Sequence, residues 1–274
     1  MEIGKVQPLK VKKMTQHIIY LEDQQGREAS LPHREGDKLK VGQTVDAFVY
    51  NGYQSNYEAT LKIPKAQVGD LKKLRVVDKT KIGYFVNIGI DKDVLLPFSE
   101  TIGRLTPGHD YLIYLYEDRT KRLAATMNIK DKLKPNDKFQ VNDYVEGTIY
   151  GIDHSVGAFV AIEDEYDGMI PAEEIKGIFK VGDRVEARVQ RILKTGFITL
   201  TLRQKAYKQM TKDAEDILNL LKDHGGELPI GDKSTPEEIF DWTGLSKKAF
   251  KRAEGSLYKD KLVDLYPTKI VLKD

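Results

Sequence analysis

Two periodicities divide the chain. Up to Arg203, apolar and polar residues alternate in short runs set off by Gly, Asp and Lys turns; beyond it, apolar positions recur at helical spacing. Alternation places successive side chains on opposite faces of a strand, whereas helical spacing gathers them on one stripe. The alternation is clearest from Tyr144 to Arg203, where it predicts about five short strands. In Gly157-Ala158-Phe159-Val160-Ala161-Ile162 it turns Ala158, Val160 and Ile162 inward and Phe159 outward. A large outward aromatic on a small barrel suits a flat partner such as a stacked base, or else cover by another domain.

The same register occurs three times. Tyr20, Phe85 and Phe159 each stand twelve residues before a proline, at Pro32, Pro97 and Pro171. Gly42 follows the first proline after ten residues, and Gly108 and Gly182 follow the others after eleven. Beyond those glycines the triplets Val45, Ala47, Val49; Tyr111, Ile113, Leu115; and Val185, Ala187, Val189 alternate in step. An internal repeat of this kind predicts tandem copies of one small β-barrel. The expected modules are residues 1–66, 67–134 and 135–204, joined by Ile63-Pro64-Lys65-Ala66 and by the polar run around Pro135.

A partly open, five-stranded Greek-key barrel is the OB-fold, whose second and third strands present an oligonucleotide-binding face. Gly157-Ala158-Phe159-Val160, Gly168-Met169-Ile170 and Val181-Gly182-Asp183-Arg184-Val185 resemble the S1-type RNA-binding domain, an OB-fold. The resemblance covers 140–204 well, 67–127 fairly and 1–62 weakly. In that family, RNA is bound by aromatics just before and two after a glycine, by a His after the next strand, and by an Asp and Arg four apart. The resemblance therefore implies RNA contacts at Phe85, Asp118 and Arg122 in the second copy, Phe159 in the third and Tyr20 in the first. The departures are Ile82 and Val156 before the glycines, Ile18 in place of the first glycine, Pro32, Pro97 and Pro171 in place of His, and Leu193 and Phe197 at the third copy's Asp and Arg places.

Phe85 can stack on a base, and Arg122 can hydrogen-bond a phosphate or stack as a planar cation. Asp118 is open to three roles: orienting Arg122, reading a base edge, or forming a surface ion pair beside a turn. The outward aromatics Phe48, Tyr50, Tyr114 and Tyr116 are expected to pack between modules rather than to touch RNA.

After Arg203, Ala214, Ile217, Leu218 and Leu221 mark a first helix, stopped by Gly225-Gly226, and Glu227 to Gly231 a short strand. Ser234-Thr235-Pro236-Glu237-Glu238 supplies an N-cap and a first-turn proline for a second helix with Ile239, Phe240 and Trp242 on its apolar side, so Trp242 is expected in the core. Ser246 caps a third helix, with Phe250, Ala253 and Leu257 facing inward, and a hairpin around Tyr266-Pro267-Thr268 follows. This order resembles a winged helix-turn-helix over 205–274, in which the third helix commonly enters a nucleic-acid groove. Its Lys247, Lys248, Lys251, Arg252 and Lys259 are candidate phosphate contacts, with solvated scaffolding or a protein contact as the alternatives.

The fold class is therefore multidomain and mainly β: three tandem S1-type OB-fold barrels, then an α+β winged helix-turn-helix. That architecture resembles the conserved virulence factor B family, which implies an RNA-binding regulator acting after transcription.

Composition adjusts this reading in three places. The 274 residues contain no cysteine, which excludes disulfides and thiolate metal sites, and no apolar run is long enough to span a bilayer, so a cytoplasmic monomer is expected. The net charge is only +2, but residues 67–134 hold thirteen basic against nine acidic side chains, and 135–204 eight against twelve. The second module is thus the better match for phosphate and the third would repel it. The five histidines are scattered, no phosphate-cradling loop is present, and Asp153-His154-Ser155 reads as a turn. The acidic run from Glu163 to Asp167 suits a solvated loop better than a cation site. No cofactor, metal or catalysis is expected. The expected partner is single-stranded RNA, with duplex nucleic acid or a protein at the winged helix left open. The other function classes are a DNA-binding transcription regulator and a scaffold for ribosome, polymerase or ribonuclease.

Overall fold

The structure is a computed structural model that describes residues 1–52, 56–175, 177, 179–203 and 212–273. It has two compact units, Met1–Leu202 and Arg203–Asp274. The first unit holds three closed five-stranded barrels of one topology. The first barrel is β1 (Lys5–Met14), β2 (Ile18–Glu22), β3 (Glu28–Pro32), β4 (Thr44–Asn51) and β5 (Tyr57–Thr60). The second is β6 (Leu71–Lys79), β7 (Gly83–Asn87), β8 (Val94–Pro97), β9 (Asp110–Glu117) and β10 (Leu123–Thr126). The third is β11 (Tyr144–Asp153), β12 (Gly157–Ile162), β13 (Tyr166–Pro171), β14 (Arg184–Ile192) and β15 (Ile198–Thr201), with a short helix α1 (Ala172–Ile175) after β13.

The repeat seen in the sequence is a repeat of pairing. Ile18, Gly83 and Gly157 lie opposite Pro32, Pro97 and Pro171. Each proline ends its strand, where the absent N–H breaks no ladder. Gly83 is held to its size by the close pairing, since a Cβ there would stand 2.3 Å from the Leu96 carbonyl oxygen. Each third strand then pairs in parallel with the fifth, through Ser30 with Glu58, Leu95 with Ala124, and Met169 with Thr199. Ala47, Val49, Ile113, Leu115, Ala187 and Val189 are all buried, as the alternation requires.

A tie absent from the sequence expectations fastens each barrel. Three residues after each proline stands a glutamate, Glu35, Glu100 or Glu174. Its carboxylate accepts a hydrogen bond from the threonine that ends the fifth strand: Thr60 at 2.5 Å, Thr126 at 2.6 Å and Thr201 at 2.9 Å. Thr60, Thr126 and Thr201 are buried, so these charge-assisted bonds satisfy hydroxyls that water does not reach. The backbone N–H groups of Leu61 and Leu202 add to the first and third, and the Asn128 amide to the second.

The barrels also join through apolar contacts. Phe48, on the outer face of β4, is 1% exposed and belongs to the same core cluster as Leu74, Val86 and Leu115 of the second barrel. Between the second and third barrels, Leu112, Ile129, Tyr150 and Ala161 form a buried cluster against which Tyr114 and Phe159 pack. Phe48 and Tyr114 thus sit between modules, as expected of them.

The second unit contains α2 (Lys212–Asp223), β16 (Glu227–Leu228), α3 (Pro236–Thr243), α4 (Lys247–Lys259), β17 (Val263–Leu265) and β18 (Ile270–Leu272), with sheet order β16-β18-β17. This is a winged helix. The α2 face of Ala214, Ile217, Leu218 and Leu221 meets Phe250, Ala253 and Leu257 of α4 in one core. Thr235 caps α3 in a capping box with Glu238, and Ser246 caps α4. The strand after α2 ends at Leu228 instead of reaching Gly231, because Pro229 has no N–H to donate.

The expectation for α3 needs correction. Only Ile239 is buried, whereas Phe240 is 60% and Trp242 37% exposed, the latter lying edge-on to His224. At 3.6 residues per turn, positions 239, 240 and 242 spread over roughly 160° of the helix, too wide for one narrow contact. Among the described residues, no helix is long and apolar enough to cross a membrane.

The threonine tie can be tested by Thr126→Val, which keeps the side-chain shape and removes the hydroxyl. Urea denaturation should show a loss of about 1–3 kcal/mol, the range for stripping a partner from a buried polar group. An unchanged midpoint would show that the tie adds nothing.

Candidate nucleic-acid interface

A groove of about 730 Å³ opens where the second barrel meets the end of β4. Its lining includes Phe85, Tyr116, Asp118 and Arg122 from the second barrel, with Tyr50 from the first. Strand alternation puts Phe85 there: Tyr84 and Val86 are buried in the core, and Phe85 between them points outward, half-buried.

Arg122 is placed by the β9–β10 hairpin. The Asp118 N–H donates to the Arg122 carbonyl at 2.8 Å, and Lys121 takes up the left-handed backbone at φ 62° that the turn requires. Asp118 Oδ1 accepts from the Thr120 N–H (2.7 Å), the Thr120 hydroxyl (2.7 Å) and the Arg122 N–H (2.9 Å). Of the roles open in the sequence, the geometry favours orientation, exercised on the backbone of Arg122. Burial opposes ionisation of Asp118, but the bonds from Arg122 and Thr120 outweigh it and hold its pKa below the ordinary value. The Arg122 side chain is exposed and, among the described residues, in no ion pair.

Tyr50 and Tyr116 line this groove, and Tyr50 also packs, as expected of it, against the core cluster that joins the first two barrels. Strand alternation put them on the outer face; only the packing shows that Phe48 is covered while Tyr50 and Tyr116 stay partly open. Burial, then the charges of Glu58 and Glu35, push the Tyr50 hydroxyl up to about 12. Burial, followed by Glu100 and Asp118, raises Tyr116. Both rings are therefore neutral at physiological pH. Lys92 donates to the Asn51 carbonyl oxygen at 2.5 Å and lies 5.5 Å from the Tyr50 ring centroid. Among the described residues Asn51 Oδ1 is buried with no hydrogen-bond partner, a cost of about 1–3 kcal/mol that a donor on a ligand would relieve.

The other outward aromatics lie elsewhere. Tyr20 is on the first barrel's face under the Lys13 ammonium, 4.2 Å from its ring centroid. Phe159 is half-buried beside Tyr150, ring centroids 6.0 Å apart, and packs against the cluster containing the linker residue Ile129. Tyr150 donates to Asp167 at 2.8 Å; burial pushes both groups' pKa values up, Asp167 in spite of that bond. The acidic run pairs with lysines: Glu163 with Lys138, Glu165 with Lys134, and Asp164 with Lys73 of the second barrel at 3.3 Å. Part of the third segment's acidic excess thus faces basic groups of its linker and neighbour. Among the described residues, no group of three His, Cys, Asp or Glu could hold a metal. Asp153-His154-Ser155 is a turn closed by Asp153 Oδ1 on Ser155.

On the winged helix, the five basic candidates divide. Lys247 donates to the Ser234 carbonyl oxygen at 2.7 Å, Lys251 pairs with Asp232 at 2.6 Å, and Arg252 with Asp213 at 3.9 Å. Lys248 and Lys259 are exposed and, among the described residues, in no ion pair.

Because the folded pKa of Asp118 is depressed, its stabilisation of the hairpin is complete above the unfolded value near 3.9 and lost as pH falls through the folded value. The protection of the Arg122 amide, its observed exchange relative to the intrinsic rate at the same pH, should therefore fall in wild type through that acid range. Asp118→Asn should exchange fast already at neutral pH and show no such step.

Comparison with known proteins follows this division of the chain. Residues 3–62 and 68–128 match the model of the S1 domain, 138–203 the S1 RNA binding domain, and 215–272 the CvfB-like winged helix domain. A crystal structure of a multidomain protein with nucleic acid binding domains from Streptococcus pneumoniae superposes with a TM-score of 0.58 at 22% identity, covering 99% of this chain and 98% of that one, which supports the fold. Conserved virulence factor B of Staphylococcus epidermidis is 27% identical over 98% of this chain and 94% of its own length. The protein of that name from Staphylococcus aureus is 27% identical over the same shares. The chain thus carries three S1 modules and a CvfB-like winged helix domain, and it is similar from end to end to the conserved virulence factor B proteins.

Proposed function

We propose that this chain is a non-catalytic regulator that binds single-stranded RNA and acts on gene expression after transcription. Its modules are taken as residues 1–66, 67–134, 135–204 and 205–274. One observation carries the reading: Phe85, Tyr116 and Arg122 converge on a single open groove. A base stacks on Phe85, and Arg122, free of ion pairs among the described residues, meets the adjoining phosphate. Asp118 fixes the turn that presents Arg122. The matched domain types, S1 and winged helix, are consistent with binding rather than catalysis.

Phe159 serves the junction of the second and third barrels, and Tyr20 stands apart from the groove, so both contribute less. Lys248 and Lys259 supply an accessory phosphate contact. Linked weak contacts on one strand raise affinity without any new interaction.

In a filter-binding titration with single-stranded RNA, Phe85→Ala combined with Arg122→Ala should weaken binding well beyond Phe159→Ala, with about 1–3 kcal/mol lost from stacking alone. Equal affinities for all three proteins would refute the assignment. Lys248→Ala with Lys259→Ala should flatten the log–log salt dependence by about 0.7 for each phosphate no longer neutralised, while Lys251→Ala leaves it nearly unchanged.

A further inference from the structure

We infer that Tyr50 of the first barrel is the second stacking surface of the second barrel's site, so that two successive bases are held by residues of two different modules. The inference rests on the RNA-binding reading above. It starts from a gap in the second barrel. The S1 pattern has two aromatics, just before and two after a glycine, yet Gly83 is preceded by Ile82 and followed at that distance by Phe85. One stacking position is therefore vacant in the barrel whose hairpin best fits RNA.

Tyr50 fills the need from across the joint. Its ring lines the same groove as Phe85 and remains partly open. It is held by its own strand: Phe48, two residues earlier, is inserted into the second barrel's core cluster, and the two rings lie 6.2 Å apart with planes at 28°. Polar ties fix the same edge. Asp91 of the second barrel pairs with Arg34, at 3.2 Å, and with Lys62 of the first, and Lys92 bonds the carbonyl of Asn51 beside Tyr50. These contacts position Tyr50 before a ligand arrives, so little ordering is left to oppose binding.

The rim supports a polyanionic chain of planar groups as the occupant. Lys92 and Arg122 are exposed cations in the lining, and the Tyr50 hydroxyl keeps its proton at physiological pH. Stacking on neutral aromatic rings tolerates any base, so the site reads the spacing of successive bases more than their identity.

Fluorescence anisotropy of the full chain with a short fluorescein-labelled oligouridylate tests this. Tyr50→Leu retains apolar volume and removes the π-face, and thermal melting checks that the variant is folded. The expected result is a roughly ten-fold loss of affinity for Tyr50→Leu, comparable to that for Phe85→Ala. Wild-type affinity for Tyr50→Leu, with Phe85→Ala weakened, overturns the inference and leaves the RNA-binding reading intact. Wild-type affinity for both variants overturns both. Should Tyr50→Leu melt below the assay temperature, crosslinking wild-type protein to 4-thiouridine RNA decides: adducts on Tyr50 as well as on Phe85 support the inference, and adducts on Phe85 without Tyr50 overturn it.

Discussion

Everything in the first unit depends on closing a five-stranded sheet into a barrel, and the closure rests on a parallel pair of short strands. That pair is the weak point of the ring, because β3, β8 and β13 each meet the fifth strand through only a brief register. A glutamate on the turn after the third strand reaches the threonine at the end of the fifth, and the tie recurs in all three barrels. Its repetition has a physical basis. Where a chain turns back over the barrel mouth it buries hydroxyl and amide groups, and a carboxylate can accept from both at once.

Once closed, the barrels are specialised by what covers them. The first barrel sends Phe48 into the core of the second, and the linker after the second buries Ile129 beneath the face that carries Phe159. Three modules of one topology therefore expose different outer faces. Phe85 keeps an open side because its neighbour places a tyrosine at the edge of the groove instead of a plug over it.

Charge follows the same division. Lys73, Lys134 and Lys138 meet the acidic run of the third barrel, and Lys251, Arg252 and Lys247 are engaged within the winged helix. A count of basic residues thus overstates the cations available to phosphate. Arg122 in the groove and Lys248 and Lys259 on α4 are exposed and outside ion pairs among the described residues, and they are the cations proposed to meet phosphate.

The sequence by itself determined the barrels, their number and the winged helix, because alternation and helical spacing report burial on one's own element, and the proline, glycine and aromatic register repeats within the chain. It also pointed to Phe85, Asp118 and Arg122, which are local to one barrel. Only the tertiary structure decided which outward aromatics are covered: Phe48 and Tyr50 stand two residues apart on the same face of β4, and one is buried while the other lines the groove. It likewise exposed Phe240 and Trp242 on α3 and joined each glutamate to a threonine some 25 to 27 residues away. Periodicity fixes a side chain's direction from its own strand or helix, but what stands opposite is set by packing between segments far apart in the chain.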